Sequence, residues 1–169
     1  MGKVRLTGET IYITVRQDLR VDRGRIYTGR GTHVHAATFI RERRIVLDAD
    51  LLRSDVELRR ILIHELFHFV WVRLGNPLRR SFEELLSTQQ KEKGELGWSA
   101  EYRKLDLEPR DIRDRSRRWR EYCCEAFCDT AAFRYARSKQ HDEFTLPRDY
   151  RRKRIAWFGK NLGAGSVRI

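Results

Sequence analysis

Cysteine, proline and methionine are scarce in this 169-residue chain, which holds three, three and one of them. The odd cysteine trio, crowded at Cys123, Cys124 and Cys128, excludes a disulfide framework and fits a reducing compartment. No apolar run reaches the roughly 18 residues that a membrane span needs. The opening MGKVRLTGETIYITV lacks the continuous apolar segment and cleavage site of a signal peptide, and Leu6 stands where a myristoylation signal wants Ser or Thr. Repeats and low-complexity blocks are also missing. These absences predict a cytoplasmic chain with no membrane partner. What is present is aromatic and basic: four Trp, six Tyr and eight Phe argue against disorder. The 36 Lys and Arg against 24 Asp and Glu, formally +12, favour acidic partners without choosing among nucleic acid, protein and anionic surface.

The length suits a single domain, 1–169. Its expected parts are a sheet region (1–53), a helical region (54–147) and a basic tail (148–169). Thr10 to Val15 is β-branched and aromatic, as in a strand, and Gln17 to Gly31 reads as a loop or irregular hairpin. Ala36 to Ile40 and Arg44 to Leu47 read as an antiparallel hairpin turning through Arg41, Glu42 and Arg43. Ser54 followed by Glu57 has the form of a capping box, so a helix is expected from there to Gly75. Between Ile61 and Leu74 only His64, Glu65, His68 and Arg73 are not apolar, which predicts a buried helix. A surface helix is expected after Pro77 and a polar excursion over Gly94 to Arg115, with room for one short helix. A third long helix is predicted over Ser116 to Arg137. The tail then runs through Arg151, Arg152, Lys153 and Arg154 to Trp157, Phe158 and a flexible end.

The chemistry lies in the buried helix. His64, Glu65 and His68 form H-E-x-x-H, and four helical residues advance about 400°, so both imidazoles leave one face a turn apart. That spacing suits one metal ion held between two ring nitrogens, with Glu65 beside the ion rather than on it. A carboxylate among Ile63, Leu66, Phe67 and Phe69 is costly to desolvate unless a metal and a cleft account for it. Catalytic zinc keeps three protein ligands and one open position, so a third ligand is needed. Trp71 and Leu74 occupy the places where a metzincin has Gly and His, which excludes that branch. Glu125 and Asp129 stand one turn apart on the third helix, as do Glu121 and Glu125.

With Glu125 and Asp129, the H-E-x-x-H motif resembles the gluzincin branch of zinc metallopeptidases, notably its small single-domain zincin-like members. The likeness covers two helices, roughly a quarter of the chain. It implies an α+β fold in which a small antiparallel or mixed sheet packs on the H-E-x-x-H helix. It also implies one zinc ion (Zn2+) on His64, His68 and Glu125, with Glu65 as general base and later proton donor. Asp129 would then hold a ligand imidazole, as carboxylates commonly do for metal-bound histidines. Glu121 stays open as an alternative ligand with Glu125 behind it, and an ordinary solvated helix face is the bland reading of all three acids.

Peptide-bond hydrolysis is the expected activity, with an extended peptide or protein substrate pairing against Ala36 to Leu47. Arg41, Arg43 and Arg44 would favour acidic substrate residues. Tyr122, Tyr135, His141 and Tyr150 all offer an oxyanion donor, and the sequence selects none. His33, His35 and His141 read as surface residues and the three cysteines as core thiols, although GTHVHAATF has the position to border the cleft. Two other functions remain open. One is a nucleic-acid-associated protein, or a protease acting on DNA-bound regulators, using the basic and aromatic tail. The other is a metal-binding scaffold without turnover.

Overall fold

A computed structural model describes residues 4–22, 25–27, 29–136, 140–163 and 165–169. The architecture is α+β. Strand β2 (Tyr12–Arg16) lies parallel to β7 (Arg44–Asp48), and β6 (Ala36–Phe39) runs antiparallel along the other side of β7. The expected hairpin is therefore present, with β6 as an edge strand. Of the two readings for Gln17 to Gly31, the irregular hairpin is the one that forms, and its sheet extends to His33. Strands β3 (Arg20–Asp22), β4 (Arg25–Tyr27) and β5 (Thr32–His33) make a small antiparallel sheet in the order β4-β3-β5.

After β7, a 3-10 turn over Ala49–Arg53 leads into helix α1 (Asp55–Arg73). Ser54 caps it, accepting from the Glu57 amide at 3.4 Å. The reciprocal half of the capping box is not seen, because the Glu57 carboxylate turns to Arg60 and His141. Helix α1 is apolar nearly all round because it is covered on two sides. Phe69 meets Ile45, Leu47 and Leu51 of the sheet side, while Phe67, Val70 and Trp71 face the helices.

On the helical side lie α2 (Asn76–Ser87), α3 (Trp98–Leu105), α4 (Pro109–Arg113), α5 (Arg117–Tyr135) and α6 (Arg148–Leu162). Helix α5 carries Trp119, Cys123, Ala126, Phe127 and Ala131 into the main core, and Ser116 caps it from the Trp119 amide. The residue at 137, predicted to end this helix, lies outside the described residues. The expected excursion over 94–115 is in fact two short helices, α3 and α4.

The tail departs furthest from expectation. Residues 148–162 form α6, whose Phe158 is fully buried against Phe67, Phe82 and Phe127. Arg154, read as part of a basic surface, is also fully buried, with two hydrogen bonds to Glu95 and one to Gln89. Strand β8 (Ser166–Arg168) then pairs in parallel with β1 (Arg5–Thr7), joining the two ends of the chain. Among the described residues no helix is long and apolar enough to cross a membrane.

Candidate metal centre

Helices α1 and α5 pack side by side and supply the site from matched turns. From α1, His64 and His68 present their rings 5.0 Å apart between centroids. From α5, one turn carries Cys124 and Glu125 and the next carries Cys128 and Asp129. His64 Nε2 lies 3.2 Å from both His68 Nε2 and Glu125 Oε2, and the third edge, His68 Nε2 to Glu125 Oε2, is 3.9 Å. A triangle with these edges has a centre about 2.0 Å from each corner, the length of a zinc bond to nitrogen or carboxylate oxygen. The donor set therefore fits a small divalent cation. A second set overlaps it, since the His64 and His68 ring nitrogens and the Cys128 sulfur lie within 4.8 Å of one another.

Protonation favours the carboxylate set. Burial works against a charged Glu125, but the hydrogen bond to His64 and the nearby charges of His68, His64 and Arg103 outweigh it, holding the carboxyl at about 2. Burial dominates at Cys128 and pushes its thiol well above the usual range. The surroundings shift both imidazoles toward their protonated forms. Burial opposes the charge of His64, yet Asp129, Glu125 and Glu65 raise it well above its ordinary value. Burial likewise opposes the charge of His68, but Cys124 and Glu125 bring it to about 9.

Each of these groups has a support drawn from elsewhere in the fold. Asp129 Oδ1 accepts from His64 Nδ1 at 2.7 Å, while its Oδ2 accepts the Ala100 amide at 3.1 Å. Gly97, just before α3, passes so close that a Cβ there would overlap the Asp129 carboxylate. The first amide of α3, at Trp98, donates to Glu143 at 3.0 Å, and Arg60 clamps Glu143 and Glu57 from below. Glu65 Oε2 accepts from the Thr38 hydroxyl of β6 at 2.5 Å. His68 Nδ1 faces Cys124 Sγ at 3.4 Å.

A cleft of about 470 Å³ opens beside the site, walled by His33, His35, Ala36, Arg60, His64, Glu65, Trp98 and Asp129 among others. The sequence segment GTHVHAATF therefore does border it. His33 and His35 remain exposed, and His33 pairs with Asp48 at 3.3 Å. His141, expected as an exposed loop residue, is instead partly buried on Glu57 at 2.9 Å.

Glu121 is not brought to the histidines. Its two oxygens pair with Arg103 and Arg117, because it sits one turn nearer the solvent end of α5. Three of the four oxyanion donors weighed from sequence bond elsewhere, His141 to Glu57 as above. Tyr122 donates to Glu95 and Tyr150 to Glu92, both at 2.6 Å, and Tyr135 stacks on Phe67. Arg43 bonds to Thr10 and Glu9, and Arg44 to Glu42, so two of the three arginines invoked for acidic substrates are already engaged.

Sequence reasoning missed Thr38, Gly97, Cys124 and Glu143. The one local signal was the pair of i, i+4 spacings on α5, Cys124 with Cys128 and Glu125 with Asp129, which put thiols and carboxylates on adjoining faces. No family model, no curated protein and no solved structure matches the chain, so the site stands on its own geometry.

Proposed function

We propose that this chain is a zinc-dependent metallopeptidase with a zincin-like fold and a gluzincin ligand set of His64, His68 and Glu125. The observation that carries the reading is the convergence of His64 Nε2, His68 Nε2 and Glu125 Oε2 next to a cleft that Glu65 also lines. Glu125 is preferred to Cys128 because it is already ionised, whereas Cys128 would have to lose a proton that burial makes it keep. A zinc ion in this position supplies Lewis acidity, polarising a peptide carbonyl and acidifying water.

The chain's own groups do the rest. Glu65 accepts the proton of the attacking water and hands it to the departing amine, one carboxylate serving both steps. Thr38 occupies one Glu65 oxygen and so aims the other. Asp129 keeps the His64 Nδ1 proton in place, which turns Nε2 toward the cation. The edge strand β6 contributes Ala36 to the cleft wall, which supports main-chain pairing with an extended peptide or protein substrate.

A metal-binding scaffold without turnover is the second reading, and the overlapping donor set with Cys128 favours it, since thiolate ligands are common in structural zinc sites. The nucleic-acid reading loses much of its basis, because Arg154 and Phe158 are buried and the Trp157 indole donates to Ser81. The deciding experiment compares the wild type with Glu65→Gln on an unstructured casein substrate. The variant is expected to keep one zinc per chain and to lose about 10²–10⁴-fold in rate. Equal cleavage by both proteins overturns the mechanism, and a zinc-loaded wild type without cleavage favours the scaffold.

A further inference from the structure

We propose that Cys124 is the positioning residue for His68, so that a sulfur does for one ligand imidazole what the Asp129 carboxylate does for the other. This rests on the metal centre of the proposed function and not on hydrolysis. An imidazole that turns Nε2 to a cation must carry its proton on Nδ1, and that N–H needs an acceptor to fix the ring. For His64 the acceptor is Asp129 Oδ1 at 2.7 Å. For His68 the atom facing Nδ1 is Cys124 Sγ, at 3.4 Å, within the reach of an N–H to sulfur hydrogen bond.

The arrangement on α5 makes the assignment more than a chance contact. Cys124 precedes the ligand Glu125 directly, so one turn of helix delivers a ligand and a support together. One turn further on, Cys128 and Asp129 repeat the pattern. Cys128 is fully buried one turn behind Cys124, which in turn faces His68. On this assignment Cys124 supports His68 and Cys128 is not a ligand. Sulfur is a weaker and longer acceptor than a carboxylate oxygen, so His68 is held less firmly than His64.

The test uses the full chain and the zinc ion alone, with affinity read by competition against a chromogenic chelator. Cys124→Ala and Cys124→Val lack an acceptor, whereas Cys124→Ser supplies a hydroxyl oxygen at nearly the same place. Removal of the acceptor is expected to weaken zinc binding about 10–100-fold, with most of the loss restored in the serine variant. The visible spectrum of the cobalt-substituted protein should shift in the alanine and valine variants and stay near wild type in the serine variant. A role in packing alone would weaken all three alike and leave the cobalt bands in place, and that outcome overturns the proposal. Wild-type affinity in the alanine or valine variant overturns it while sparing the metal centre. A wild type that binds no zinc defeats both.

Discussion

Thr38 shows how a single hydroxyl can shape Glu65, the acid proposed as general base. Its bond to Glu65 is 2.5 Å long and joins residues 27 apart in sequence, so no local pattern announces it. Thr38→Val is expected to lower kcat roughly tenfold, matching about 1.5 kcal/mol for a hydrogen bond to a charged group, with KM nearly unchanged. Steady-state kinetics on a peptide substrate check this. The histidines carry a pH signature. Although burial opposes its charge, Cys124 and Glu125 push His68 up to about 9 from an ordinary 6.5, so below that pH a cation at Nε2 would have to displace a proton. Because His64 is also raised, apparent zinc affinity should rise with pH from 6.5 through at least about 9. Calorimetric titrations in buffers of differing ionisation heat should register proton release, and a flat profile would contradict the assignment. His64, Glu65 and His68 were legible in the sequence because five consecutive residues on one helix suffice to define them. Cys124 was visible only as an i, i+4 partner of Cys128, since its contact with His68 spans 56 residues.

Helix α3 is short, yet its first turn organises the carboxylates behind the site. The Trp98 and Ala100 amides hold Glu143 and Asp129, and the missing side chain of Gly97 lets the helix approach. Gly97→Ala is expected to displace Asp129 and weaken zinc binding about tenfold while leaving far-ultraviolet circular dichroism unchanged. Chelator competition measures it, and wild-type affinity would show that Asp129 tolerates the shift. Eight helical residues between Gly94 and Asp106 give too few turns for periodicity to emerge, which is why 94–115 reads as an excursion. The long helices were readable for the opposite reason. Helices α1 and α5 run 19 residues each and carry Ser caps at both predicted starts, Ser54 and Ser116. Helix α6 has few apolar residues and its charges dominate the pattern, so its one deeply buried aromatic, Phe158, was read as tail.

Across the whole molecule, the fold is tied together by a buried ionic knot separate from the candidate metal centre. Arg154 and Glu95 are both fully buried and pair at 2.6 Å, with Lys104, Tyr122 and Gln89 completing their bonds. This knot joins α6, α3 and α5, and no sequence pattern foretells it, because each partner alone looks like an ordinary surface residue. Burial would raise the Glu95 carboxyl, but Arg154 and Lys104 hold it below its ordinary value. Its contribution to stability is thus full above the usual carboxylate range and lost as pH falls through its lowered value. Glu95→Gln leaves Arg154 buried without its counter-charge and should cost about 3–5 kcal/mol, read as a lower urea midpoint at neutral pH. A midpoint within error of wild type would mean that the remaining partners suffice. The α+β layout follows from the balance between an N-terminal β-rich third and a helical remainder, which was evident from the sequence. The joining of the chain ends through β1 and β8 was not, since three-residue strands leave no periodic trace.

The central claim, that two histidines and Glu125 hold one zinc ion, is tested most directly by zinc K-edge X-ray absorption on the purified chain. One zinc per chain is expected, with nitrogen and oxygen scatterers alone at about 2.0–2.1 Å, and that shell should lose occupancy or rearrange in Glu125→Ala. A sulfur scatterer at about 2.3 Å would put Cys128 in place of Glu125, and a chain that retains no zinc would remove the metal centre altogether.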